Sequence, residues 1–343
     1  MIKILMLGGT GAIGKSILSV LGNNSKYDIT ITSRKERKKD YINVHYICGN
    51  ANDFEFINTF PNDSYDVLID FMNYRNEVLE KNFIKLIGIA KQYIFLSSAR
   101  VYDNSQSIIN ENCTLLLNTT NDFAFKTSGT YAVKKAYQEE YVRKHGGSKV
   151  TIIRPYKTYS AERLQLGEYE INQWLRRLIN GKPIVINKEI LNKYTSLTDG
   201  IDVAKGIIGL IGNENSYGET FQIVSDKYMT WNEILVVYTR VLTKYSIKPV
   251  IYLAKNTEVI DKFFESGYQM PYDIMYDRKF CSNKISNIMS ISYQDTKKGL
   301  KKALSSYLEN NTLEDFGDTS YDEVVDQFIK NNQLIIWEEN LYA

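Results

Sequence analysis

Histidine is nearly missing from this chain: among 343 residues only His45 and His145 occur. Two imidazoles give a histidine-rich metal site or a Ser-His-Asp triad little to work with. Cysteine is almost as scarce. Cys48, Cys113 and Cys281 are odd in number, far apart and form no CxxC pair, which argues against a disulfide framework and against a zinc site. An excess of one charge is lacking too. The 42 Lys and Arg residues nearly balance 40 Asp and Glu, for a net charge of +2, so no polyelectrolyte pull toward nucleic acid or an anionic membrane is expected. No apolar run reaches the ~18 residues that suggest a membrane span. The apolar N-terminus is broken by glycines too early to be a signal peptide. These absences predict a soluble, cytoplasmic protein with no metal and with neither nucleic acid nor membrane as partner.

What is present is a globular composition on a chain long enough for one large domain or two closely joined ones. The 26 tyrosines read as compositional bias, so a tyrosine motif must be judged by its position. Short apolar runs alternate with helical patterns through the first half. Strands are predicted at Ile2–Leu7, Ile29–Thr32, Asn43–Cys48, Val67–Phe71, Tyr93–Ser97 and Val150–Arg154. Helices are predicted at Ala12–Leu21, about Glu77–Lys91 and Tyr131–Lys144. Such alternation means a parallel sheet covered on both faces. After Pro155 the pattern loosens: helices at Glu168–Asn180, Asp202–Ile211 and Thr230–Thr243, a strand at Thr220–Val224, then a mixed, more polar tail. We expect a dinucleotide-binding domain over 1–155 that also receives about 195–225. A smaller, discontinuous lobe is expected from 156–194 and 226–343.

Gly8, Gly11 and Gly14 stand three apart between the first strand and the first helix. One glycine permits a tight turn, the next lets backbone approach a pyrophosphate, and the last lets helix pack on strand. The helix N-terminus then offers unpaired N–H groups to phosphate. The candidate dinucleotide contacts are Gly8, Thr10, Gly11, Ala12, Ile13 and Gly14 in this loop, and Asn50 and Ala51 after the third strand. Phe71, Met72 and Pro155 complete them from later strand ends. An NAD site usually ends its second strand in Asp or Glu. Here Ser33 and Arg34 occupy that place, and a hydroxyl with a guanidinium suits a ribose phosphate. NADP is therefore favoured over NAD. The rest of the basic run, Lys35–Lys39, reads as a solvated loop.

Tyr131 and Lys135, in YAVKK, lie four apart on one helix face, downstream of LSSARVY. A free phenol has a pKa of about 10 and is a poor proton carrier at neutral pH. A lysine ammonium beside it favours the phenolate. A serine at the preceding strand end can hold the reacting oxygen; Ser98 is the first choice and Ser97 the second. Ser98, Tyr131 and Lys135 are the candidate catalytic residues, with Tyr131 and Lys135 also touching the cofactor.

The segments LGGTGAIG, YDVLIDFMNY, YIFLSSARVY, TYAVKKAYQEEY, TIIRPY and TDGIDVAKGI, spanning about residues 1–225, resemble the extended short-chain dehydrogenase/reductase family in its NAD-dependent epimerase/dehydratase branch. The resemblance implies a Rossmann doubly wound parallel sheet with a smaller mixed α/β C-terminal substrate lobe. It also implies hydride transfer on a nucleotide sugar, a homodimer built on the helices after strands four and five, and a place in surface-polysaccharide precursor synthesis. The departures bear on the reaction. Ala99-Arg100 stands where 4,6-dehydratases of the family carry Asp-Glu, which speaks against dehydration. Lys157 replaces the family's usual Asn, and Thr195 stands where many members carry an Arg near the substrate phosphates. Lys157, Arg163 and Arg278 join Ser98 as candidate substrate contacts. The expectation is an NADP-linked keto-sugar reductase. The alternatives are a 4-epimerase with retained NAD, or, in another class, a non-catalytic dinucleotide-sensing or RNA-associated protein on the same fold.

Overall fold

The computed structural model describes residues 1–264, 267–310 and 320–339. Apolar runs such as Ile4–Leu7 and Val67–Ile69 are buried end to end, so these strands are covered on both faces. The strands β1 (Ile2–Leu7), β2 (Tyr27–Ser33), β3 (Val44–Cys48), β4 (Tyr65–Asp70), β5 (Ala90–Leu96) and β6 (Val150–Pro155) form one parallel sheet. The strand Thr220–Ile223 returns from far along the chain to pair with β6, making seven in the order Thr220–Ile223, β6, β5, β4, β1, β2, β3. The winding reverses between β1 and β4. In such sheets a ligand crevice opens at the strand C-termini at that reversal.

Helices cover both faces. Ala12–Leu21 and Gly200–Leu210 press Ile17, Leu21, Val203 and Ile207 onto one face; Asn76–Ile89 and Tyr131–Gly146 press Phe83, Leu86 and Val142 onto the other. A second, smaller sheet joins Ile184–Asn187 in parallel to Ile251–Ala254, which pairs antiparallel with Ile335–Ile336. Around it lies a separate apolar cluster with Trp174 and Tyr238 stacked at 4.7 Å.

The first strand and first helix fall on the residues expected from sequence. The other predicted strands are present with ends shifted by up to three residues, and one later helix starts late for a local reason. The helix predicted from Glu168 begins at Ile171, because Glu170 and Gln173 form a reciprocal capping box and Gly167 turns the chain just before it at φ +62°. Glu168 is thereby left in the tight turn that Leu166 and Tyr169 close with reciprocal backbone hydrogen bonds. Short helices at Phe54–Asn58 and Phe123–Thr127, capped by Asp53 and Asp122, were not foreseen. Among the described residues no helix is long and apolar enough to cross a membrane, and no three His, Cys, Asp or Glu side chains gather as a metal site.

Candidate active site

The glycine turn sits where the winding reverses. Gly8 follows β1 with φ +69°, a conformation open to glycine, and its N–H donates to Thr32 Oγ1 at 3.1 Å. A methyl on Gly14 would lie 2.0 Å from the Gly9 carbonyl oxygen, so only glycine lets the Ala12–Leu21 helix come this close. No side chain caps that helix, and a methyl on Gly11 would meet nothing within 4 Å. The turn is thus an open cradle of backbone N–H groups that fits the pyrophosphate of a dinucleotide. Met72 adjoins Gly8 from the end of β4. Ile13 and Pro155 border the cavity described below. Asn50 and Ala51 follow β3.

At the end of β2 no carboxylate is present: Ser33 closes the strand and the basic residues follow. Arg37 Nε donates to Ser33 Oγ at 3.3 Å. Arg37 is exposed in an irregular loop, as expected, and reaches Ser33 from there. Arg34 is exposed.

Tyr131 opens the Tyr131–Gly146 helix, and Lys135 lies one turn below it, 2% exposed. Lys135 Nζ donates to the Leu96 carbonyl at 2.8 Å and the Met72 carbonyl at 3.0 Å, and lies 6.0 Å from the Tyr131 ring centre. Burial pushes its pKa down to about 8, against the pull of Asp70 and Glu139. Asp70, at the end of β4, escaped the sequence reading. It is fully buried and accepts from Tyr93 OH at 2.6 Å, Tyr74 OH at 2.9 Å and Met72 N–H at 2.9 Å, so it also fixes the Met72 turn that Lys135 reads. The signal was there in YDVLID, an acid closing an otherwise apolar strand.

Ser97, Ser98 and Tyr131 border one cavity of about 580 Å³. Ser98 Oγ accepts from the Arg100 N–H at 3.2 Å, while the buried Ser97 Oγ has no hydrogen-bond partner. Both serines therefore remain within the site. Arg100 also lines the cavity, its guanidinium 5.8 Å from the Tyr131 ring centre.

On the opposite wall stand Lys157, Arg163 and Glu168. Lys157 Nζ donates to the Gly167 carbonyl at 3.0 Å, and burial pushes its pKa down to about 8. Arg163 pairs with Glu170 at 2.8 Å. Arg278 is not brought to the cavity. It is 1% exposed and donates to the Ala99 carbonyl at 3.0 Å and to Asn104 Oδ1 at 2.9 Å, with Asp273 as its counter-ion at 3.1 Å. The substrate contact expected of Arg278 is thus corrected: its charge is used inside the protein, holding the turn that carries Ser98 and Arg100. Glu168, 3% exposed, meets the carboxyl of Asp261. Burial, and then the neighbouring Asp261, push its pKa up to about 10.

Three contacts hold these walls. Arg154, on β6, makes a buried ion pair with Glu139 of the Tyr131–Gly146 helix, Nε to Oε1 at 2.9 Å. Under the opposite wall, Trp174 Nε1 donates to the Leu164 carbonyl at 3.0 Å and Tyr238 OH to the Gln165 carbonyl at 3.1 Å.

A doubly wound sheet, a glycine cradle at its reversal, and a Ser, Tyr and Lys set beside it define the dinucleotide-dependent class of α/β proteins. Residues 4–223 match the NAD dependent epimerase/dehydratase family, and the chain belongs to that family. The chloroplast stem-loop binding protein of 41 kDa b from Arabidopsis thaliana is 24% identical over 246 residues, 67% of this chain and 60% of that protein's length. Among solved structures, a UDP-N-acetylglucosamine 4-epimerase from Methanobrevibacter ruminantium, in complex with UDP-N-acetylmuramic acid, is similar at TM-score 0.67 and 19% identity, covering 90% of this chain and 99% of that one. A UDP-glucuronic acid 4-epimerase mutant from Bacillus cereus, solved with NAD and a fluorinated substrate analogue, reaches 0.69 at 13% identity, covering 90% and 100%. These structures share the fold.

Proposed function

We propose that this chain is an NAD(P)-dependent oxidoreductase acting at a carbon of a nucleotide-linked sugar, with keto-sugar reduction as the favoured direction. The observation that carries the reading is the meeting of Ser98 and Tyr131 at one cavity beside the glycine cradle, with Lys135 buried one helical turn behind Tyr131. The Gly8–Gly14 turn with Asn50, Ala51, Phe71, Met72 and Pro155 would hold a nicotinamide dinucleotide, which when bound would supply or take the hydride. Ser98 donates a hydrogen bond to the reacting sugar oxygen. Tyr131 gives that oxygen its proton in reduction and removes it in oxidation. Lys135 stabilises negative charge on the phenol oxygen and, with two of its three N–H donors on carbonyls, has one left for a ribose hydroxyl. Arg163 and Lys157 face the substrate.

Ser33, Arg34 and Arg37 support NADP as the cofactor, and a reductase must exchange its cofactor at each turnover. NAD-bound structures of the same fold support the alternative, an epimerase that retains NAD. One experiment separates them: release any dinucleotide from freshly purified protein, identify it, and titrate the emptied protein with NADPH and NADH. Tight NADPH and weak NADH binding supports the reductase; stoichiometric released NAD overturns it in favour of the epimerase. The stem-loop binding relative favours a third reading, an RNA-associated dinucleotide sensor. Filter binding of structured RNA, with no hydride transfer to any keto-sugar nucleotide, would select it.

We further propose two lobes, 1–155 with about 195–225, and 156–194 with 226–343. We propose a homodimer through the Asn76–Ile89 and Tyr131–Gly146 helices, whose outer faces show Ile84 and Tyr137 among Glu77, Lys81 and Glu140. Light scattering tests it, and a monomer at working concentration overturns it.

A further inference from the structure

Lys135 places an amine deep inside the protein, and the charge that answers it lies at the end of β4. The charged groups facing Lys135 are Asp70, Glu139 and Lys134, and the rings beside its Nζ are Phe95 at 4.6 Å and Tyr131 at 6.0 Å. Lys134 repels it. Glu139 is matched by Arg154 in a buried ion pair. That leaves Asp70. Asp70 is fully buried, and its oxygens only receive hydrogen bonds: Oδ1 from the Met72 N–H, Oδ2 from the Tyr74 and Tyr93 hydroxyls. Such surroundings suit an ionised carboxylate. Burial pushes the Asp70 pKa up, while Tyr93, the Met72 N–H, Lys135 and Tyr74 pull against it. Burial, and then the Asp70 charge, push both phenols well above their ordinary range, so both stay donors. Met72 joins the two buried charges. Its N–H donates to Asp70 at 2.9 Å and its carbonyl accepts from Lys135 Nζ at 3.0 Å.

We propose that Asp70 is a positioning residue for the reaction: its carboxylate, held by Tyr74 and Tyr93, keeps Lys135 an ammonium behind Tyr131, and its grip on Met72 sets one of the two carbonyls that orient that ammonium. The inference rests on the reading of Tyr131 and Lys135 as the proton-handling pair and deepens it. Carbonyls orient a buried amine without fixing its charge, and a buried cation with no counter-charge gives up its proton. A neutral Lys135 could not stabilise a phenolate. With Asp70 in place Lys135 stands at about 8, a small margin above neutral. Without that carboxylate the margin is lost. The position across Met72 matters as well. A carboxylate in direct contact would take the third N–H of Lys135. Asp70 acts from one residue away, so that donor stays available beside Tyr131.

The test reads the Lys135 side chain directly, in the full chain with no ligand added. Protein labelled with carbon-13 at lysine Cε is titrated by NMR, and Lys135→Met identifies the Lys135 signal. In Asp70→Asn the Lys135 midpoint should fall by at least about one pH unit, a tenfold loss in the ratio of ammonium to amine. A role for Asp70 in hydrogen bonding alone would not move that midpoint. Asp70→Asn leaves a buried cation uncompensated and can unfold the chain, so thermal unfolding at neutral pH supplies a second reading. Lys135→Met should raise the unfolding midpoint by at least about 5 °C more in the Asp70→Asn background than in wild type, or restore folding where Asp70→Asn alone abolishes it. A Lys135 midpoint that Asp70→Asn leaves in place overturns the proposal, and so does an equal effect of Lys135→Met in the two backgrounds. The two readings fail separately. Turnover unchanged in Lys135→Met overturns the role given to Lys135, whereas an unmoved Lys135 midpoint overturns only the role given to Asp70.

Discussion

Lys135, buried behind Tyr131, and Lys157, on the cavity wall, belong to opposite halves of the molecule, and burial pushes both down to about 8. Their surroundings differ. Lys135 is held by two carbonyls that belong to the ends of β4 and β5, the rigid sheet. Lys157 is held by the Gly167 carbonyl of an irregular segment and lies near the rings of Tyr156 and Trp231. The first is a fixed part of a repeated architecture. The second belongs to a loop whose shape depends on contacts made far along the chain. The proposed chemistry thus lies on the sheet side, and the proposed substrate contact on the side that differs most from the family's pattern.

Breaking the sheet side should cost most. Tyr131→Phe is expected to lower turnover by about 10²–10⁴-fold while leaving dinucleotide affinity intact, as measured by single-turnover hydride transfer and fluorescence titration. Unchanged turnover would remove Tyr131 from the chemistry. The two lysines should then separate in steady-state kinetics: Lys135→Met acts mainly on kcat, Lys157→Met mainly on KM. Identical effects would erase the contrast drawn here. At the cofactor mouth, Arg34→Ala should weaken NADPH by about 1.5–3 kcal/mol and NADH much less. Equal losses would reject a phosphate pocket there.

Stability against pH sharpens the comparison in a second observable. For a lysine whose folded pKa is depressed, the burial penalty is complete below about pH 8 and is relieved as pH rises toward its ordinary 10.5. Wild type should gain up to roughly 3 kcal/mol per lysine over that window, and each methionine variant should lack one such gain in urea denaturation. Glu168 has the opposite sign. Its folded pKa is raised, so its contribution is complete below the ordinary 4.5 and is lost as pH climbs through about 10. Glu168→Gln should therefore become progressively more stable relative to wild type between about pH 5 and 9.

Sequence carried the sheet half well because its signals are local. An apolar strand, spaced glycines and an i, i+4 pair each sit within a few residues, and Ile2–Leu7, Ala12–Leu21 and the Tyr131 helix start are found where that spacing puts them. The other half depends on distance. Ile184–Asn187 and Ile251–Ala254 are four-residue strands that become a sheet only by pairing across more than sixty residues. Glu168 looked like the first turn of a helix, but the helix starts after the Glu170 cap and Glu168 sits in the tight turn between Leu166 and Tyr169. Arg278 was legible as a charge, but its contacts with Ala99, Asn104 and Asp273 cannot be read from the local pattern YDRKF.

Trp174 and Tyr238 hold the carbonyls of Leu164 and Gln165 from beneath the cavity wall. That arrangement separates the frame of the wall from its lettering. Backbone position is set by two stacked aromatic rings in a buried cluster, while Arg163, Gln165 and Glu168 present their side chains at the wall above it. A redesign of substrate scope can therefore exchange those three side chains and leave the loop where it is, whereas altering either ring would move all three at once.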